Sequence, residues 1–130
     1  MRGYPPGVVL STSRIGLVRI DPGATVVEID GDHDLRSVAR LRGEVERILD
    51  EGAAIVVDLE LTTFVDSSML AGLLDARRAA ERRELGFAVN MPSDGAEAVQ
   101  RVIEITGLGA ALPIFETREE AVAAVRAERS

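Results

Sequence analysis

Apolar and polar positions alternate over residues 16–20, and Ala24 to Ile29 returns as a second largely apolar run, with Asp21-Pro22-Gly23 between the two. A period of two predicts strands. Pro fixes φ and Gly permits positive φ, so the break reads as a turn and 16–29 as a hairpin. Leu35, Val38, Leu41, Val45, Ile48 and Leu49 then recur at helical spacing, with Arg and Glu opposite, and the helix stops near Gly52. Ile55 to Leu59 is a continuous, largely β-branched run and predicts a buried strand. After a short polar break, Asp66 opens a helix over about 67–83, with Leu70, Leu73 and Leu74 inward and Arg77, Arg78, Arg82 and Arg83 outward. Residues 86–90 predict another buried strand. Asp94 and Glu97 have capping-box spacing ahead of Ala98, Val99, Val102 and Ile103, and Gly107 ends that helix. A short edge strand at 113–115 precedes a last helix, where Thr117 and Glu120 repeat the capping-box spacing before Ala121, Val122 and Val125.

Residues 1–14 read as a flexible leader, with Pro5-Pro6-Gly7 breaking periodicity and Val8-Val9-Leu10 able to add a short edge strand. Residues 15–127 form one domain. Strands that alternate with helices imply right-handed crossovers. The expected fold class is therefore α/β: a mixed β-sheet with a parallel centre at 24–29, 55–59 and 86–90, and about four α-helices packed mainly on one side.

Composition narrows the function classes. Aromatics are only 3% of 130 residues, so the core must be aliphatic. Cysteine is absent, which excludes disulfides and thiolate metal sites and fits a cytoplasmic protein. A net charge of -7 disfavours nucleic acid and anionic membranes as partners. No apolar run approaches the ~20 residues of a membrane span.

Candidate chemistry centres on two places. Asp30-Gly31-Asp32-His33-Asp34 reads as an acidic loop around the chain's single histidine. A triad of Ser67 or Ser68 with His33 is conceivable, but no Gly-x-Ser-x-Gly elbow accompanies it, and the plainer expectation is a solvated loop histidine. The acidic spacing matches no calcium loop, there is no phosphate-binding glycine motif, and neither a catalytic residue, a metal nor a cofactor is expected. The second place is Asp66-Ser67-Ser68, at the positive end of a helix dipole. A serine there is open to phosphorylation, because a phosphate meets unpaired backbone amides. Ordinary first-turn serines that supplement the cap would give the same pattern.

Val57-Asp58-Leu59 through Phe64-Val65-Asp66-Ser67-Ser68, with Leu70 and Gly72-Leu73-Leu74, resembles the signature of STAS domains of the anti-sigma factor antagonist type. Ile29 to Leu35, Asn90 to Ser93, Val102 to Leu108 and Ile114 to Ala121 are similar to other segments of that family. The resemblance covers about residues 15–127. It implies a non-enzymatic protein that binds an anti-sigma factor serine kinase and so frees a sigma factor. ATP-dependent phosphorylation of Ser68 (or Ser67) would release the kinase, and a metal-dependent serine phosphatase would reset the switch. The partner-binding residues implied are Asp32, His33, Asp34, Asp66, Ser67, Ser68 and Met69. Two positions depart from the family pattern: Met69 stands where Gly is usual, adding bulk where a partner would approach, and His33 stands where an apolar residue is common. The alternative is an unphosphorylated STAS module fixed in a larger signalling or transport assembly.

Overall fold

The computed structural model describes residues 13–20 and 22–127. Its elements follow the order β1 (Arg14–Ile20), β2 (Ala24–His33), α1 (Leu35–Asp50), β3 (Ala54–Asp58), β4 (Thr62–Val65), α2 (Ser67–Arg82), β5 (Phe87–Asn90), α3 (Glu97–Thr106), a 3₁₀ turn (Leu108–Ala111), β6 (Ile114–Phe115) and α4 (Arg118–Ala127). The sheet runs β1-β2-β3-β5-β6. β1 and β2 form the expected antiparallel hairpin, with Ile20 opposite Ala24 and Gly23 at a φ of 77°. β2, β3 and β5 form the expected parallel centre, with Val26 beside Val56 and Val56 beside Ala88. The possible edge strand at Val8-Val9-Leu10 lies outside the described residues.

Three expectations change. The polar break after Leu59 contains a strand, β4, which pairs in parallel with the carboxyl end of β2. Thr62 looks like a loop residue in sequence, yet it is buried because its hydroxyl donates to the Ile29 carbonyl. The acidic segment around His33 is therefore strand rather than loop. At Gly31, whose φ is 83°, the β2–β4 register shifts, and its N–H donates to the Leu61 carbonyl at 2.9 Å. The Asp94–Glu97 capping box does not form. Pro92 to Gly95 closes a turn instead, α3 starts later with Ala96 as its cap, and Glu97 pairs with Arg101 at 2.7 Å. The Thr117–Glu120 box does form, each side chain meeting the other's amide at 3.1 Å.

The alternation of β2, β3 and β5 sorts their side chains between two faces. Val27, Ile29, Ile55, Val57, Phe87 and Val89 meet the inner faces of α1, α2 and α3 in the larger cluster. Val26, Ala54, Val56 and Ala88 meet Ala121, Val122 and Val125 of α4 on the other. Three helices thus share one face and the last covers the opposite one. Leu35, counted in the apolar stripe of α1, is 67% exposed at the helix's first position.

Candidate functional site

β2 and β4 end side by side, and α1 and α2 start from those ends. Asp34 caps α1: its carboxylate accepts from the Arg36 amide at 2.9 Å. Arg36 folds back on the same carboxylate, with a guanidinium nitrogen at 3.0 Å, which holds the Asp34 carboxyl below its usual range. Asp66 caps α2 from an extended backbone, accepting from the Met69 amide at 3.1 Å. Its own N–H donates to the His33 carbonyl at 3.2 Å. The amino end of α2 is thereby tied to the last residue of β2.

Ser67 and Ser68 are the first two residues of α2. Ser67 is exposed and Ser68 half-buried. Their N–H groups belong to the first turn, which has no preceding helical carbonyls to satisfy it, and the helix dipole leaves that end positive. A phosphoryl group on Ser67 would add negative charge where the backbone favours it.

Met69 is wholly buried, among the core residues of the larger cluster. The bulk expected to face a partner is turned inward, because the third helical position lies on the same side as Leu70 and Leu73. With the whole residue buried and its N–H held by Asp66, Met69 offers a partner no surface. His33 is likewise buried, at 1% exposure, and is not a solvated loop histidine. Its Nε2 lies 2.8 Å from the Asp30 carbonyl, which can only accept, so Nε2 carries the hydrogen. Nδ1 then meets the Ser37 hydroxyl at 2.9 Å. Both ring nitrogens are engaged away from Ser67 and Ser68, so the hydrolytic triad is not assembled. Asp32 is exposed and accepts from the Thr63 hydroxyl. Of the sequence-selected residues, Asp32 and Ser67 are exposed, and Asp34, Asp66 and Ser68 are half-buried. Among the described residues no cluster of three or more His, Asp or Glu side chains could hold a metal ion.

The family model of the Mlab STAS domain matches residues 17–115. The chain belongs to the STAS domain family. An anti-sigma factor antagonist from Mycobacterium paratuberculosis is 25% identical, with a TM-score of 0.74 over 91% of this chain and 99% of that one. The antagonist SpoIIAA in its unphosphorylated form is 26% identical, with a TM-score of 0.71 over 88% of this chain and 97% of its own. A sulfate transporter family protein from Wolinella succinogenes shares the fold at 18% identity, with a TM-score of 0.64 over 79% of this chain and 84% of that one. No curated protein matches this chain in sequence. No helix among the described residues of this STAS domain is long and apolar enough to cross a membrane.

Sequence reasoning overlooked Leu61 and Phe64, which flank the site and are 66% and 40% exposed. Their signal was present: an aromatic two residues before an Asp-Ser-Ser cap, in a chain with three Phe and one Tyr. Only the exposure of β4 turns that signal into a surface feature.

Proposed function

We propose that this STAS domain is an anti-sigma factor antagonist that docks an anti-sigma factor serine kinase on the surface around Asp66, thereby freeing a sigma factor for transcription in the cytoplasm. The observation that carries it is an exposed Ser67 at the Asp66-capped amino end of α2. Ser67 replaces Ser68 as the favoured phosphoacceptor, because a kinase must reach the hydroxyl and Ser68 is half-buried.

In the switching step the Ser67 Oγ attacks the γ-phosphorus of ATP. Its proton passes to a base on the kinase, the bond to the β–γ bridging oxygen breaks, and ADP leaves. The new group adds about -1.5 to -2 charge beside Asp66. On the free protein the helix end offsets the repulsion from Asp66. In the complex the same charge faces the kinase's nucleotide phosphates, and docking is lost. A metal-dependent serine phosphatase restores the hydroxyl with water.

A fixed, unphosphorylated module drew its support from the bulk of Met69 at the docking surface. With that side chain buried, the support falls away. The test is labelling by the cognate kinase with radioactive ATP, with the site mapped by mass spectrometry. Ser67→Ala is expected to abolish labelling and to bind the kinase constitutively. Labelling that survives Ser67→Ala and is lost in Ser68→Ala returns the assignment to Ser68, and labelling that survives the double substitution removes the pair from the mechanism.

A further inference from the structure

β5 and β6 are parallel neighbours whose chains leave for opposite faces of the sheet. From β5 the chain passes to α3 on the face of the larger cluster, and from β6 to α4 on the other. A crevice opens at the carboxyl ends of strands that part in this way, and open α/β sheets hold their ligands there. In this chain it measures about 670 Å³, within the range of small-ligand sites, and no residue of the Asp66 site lines it. Glu116 ties its two walls together, accepting from the Ser93 N–H at 2.6 Å and from the Ser93 hydroxyl at 2.7 Å.

The fully buried residue in the lining is Asn90, at 1% exposure. Its Nδ2 donates to the Asp58 carboxylate at 2.8 Å. That bond fixes the amide's orientation, since a flipped amide would set two acceptors against each other. The Asn90 Oδ1 accepts from no group among the described residues. A buried acceptor without a donor is costly, so this oxygen calls for an N–H or O–H. The rim around it is acidic, with Glu60, Asp94, Glu116 and Glu119 all exposed. Arg118, the cation in the lining, is committed to Asp58 and Glu28. Glu60, Asp94 and Glu119 have no arginine partner among the described residues. Nor do three acidic side chains there converge on one metal ion. The complementary ligand therefore carries its positive charges spaced along a chain.

We infer that this crevice binds a linear aliphatic polyamine, with one primary ammonium donating to the Asn90 Oδ1 and the rest of the chain lying among Glu60, Asp94 and Glu119. The Oδ1 is almost wholly enclosed, so it admits a small donor tip and not a ring. An N–H donated by an ammonium is also stronger than one from a neutral group. An anion would meet an unpaired acceptor at the floor and carboxylates at the rim. The site does not depend on the function proposed above.

The experiment titrates spermidine into the isotope-labelled chain at constant ionic strength and follows the amide signals by NMR. Spermidine acetylated on both primary amines, acetyl-lysine methylamide and Mg²⁺ serve as comparisons. Spermidine is expected to shift the Asn90 side-chain amide and the backbone amides of residues 93–94 and 117–119 saturably, and more weakly at raised salt. The double variant Glu60→Gln/Glu119→Gln is expected to weaken binding by about tenfold or more, while Glu104→Gln, at an exposed and unpaired position on α3, stays within about twofold. Shifts spread over the whole acidic surface, an equal loss in Glu104→Gln, or equal binding of Mg²⁺ would reduce the effect to diffuse attraction by a chain of net charge -7 and overturn the site. Equal binding of acetyl-lysine methylamide would make the crevice a seat for a partner's lysine and overturn the polyamine. Equal binding of the acetylated spermidine, or an unmoved Asn90 side-chain amide, would remove the ammonium contact on which the inference stands.

Discussion

The two faces of the sheet are built differently. One carries α1, α2 and α3 on Ile, Leu, Val and Met side chains. The other carries α4 alone on a floor of Ala24, Val26, Ala54, Val56 and Ala88. Small residues let α4 approach closely, and the limit is reached at Gly86, where an added Cβ would meet the Val125 backbone at 2.7 Å. On the thin face an ion pair adds to the packing. Arg118 reaches from the first turn of α4 to Glu28 at 2.6 Å and to Asp58, with its Nε 3.0 Å from the Asp58 carboxylate. Burial works against its charge, yet the hydrogen bonds it donates to both carboxylates outweigh that and hold its pKa above the ordinary value. Asp58 also accepts from the Asn90 amide at 2.8 Å and from the Glu60 N–H at 2.9 Å. Where apolar volume is scarce, a helix is held by contact distance and an ion-paired latch. Where it is plentiful, interdigitated aliphatic packing suffices.

The largest expected effect is on the thick face. Met69→Ala removes a fully buried side chain and leaves a cavity, so denaturant unfolding should show a loss of about 2–5 kcal/mol. A loss near zero would mean that α2 is not anchored through its first turn. On the thin face Gly86→Ala should cost about 1–3 kcal/mol, because the obstacle is backbone rather than a flexible side-chain tip. Hydrogen exchange should localise the damage to α4 and spare α1 and α2. Arg118→Met keeps the stem but removes the latch, leaving Asp58 with neutral donors only. About 1–2 kcal/mol should be lost by thermal melting, less than for a fully buried pair because Arg118 is partly exposed. Equal hydrogen-exchange losses on both faces for these two variants would mean that the two faces are not held independently.

The smallest effect lies at the site itself. The Asp34 pKa is lowered from 3.8 by its Arg36 side-chain and amide partners. A carboxyl depressed on folding contributes stability above its unfolded pKa and loses it as pH falls through the folded value. Wild type should therefore lose slightly more stability than Asp34→Asn between pH 5 and acid, as read by melting temperature across pH. A parallel pair of profiles would remove the coupling.

Much of this architecture was legible from one chain. The parallel centre follows from β-branched runs at 55–59 and 86–90, and the helices from apolar recurrences at 35–49 and 70–74. The Asp66 cap was legible because capping is local: one carboxylate, one amide, three residues apart. β4 was missed because Thr62 and Thr63 read as polar, and burial of Thr62 depends on a carbonyl thirty-three residues away. His33 was misplaced although its partners, Ser37 and the Asp30 carbonyl, are near in sequence, because β4, more than thirty residues away, turns this segment into a strand end. The Asp94–Glu97 spacing was a false local signal, overridden by the turn at Pro92 to Gly95.

Periodicity, composition and caps thus specify which segments become strands and helices, and they put Asp66, Ser67 and Ser68 at one helix start. These are short-range properties, expressed wherever the segment sits. Which face α4 covers, whether Met69 points in or out, and which serine meets solvent depend on the packing of distant segments. The burial of one residue is set by the surfaces of others, and no local pattern encodes those surfaces. The same holds for Leu61 and Phe64, which are apolar in sequence and whose exposure is decided by what the folded chain leaves uncovered around β4.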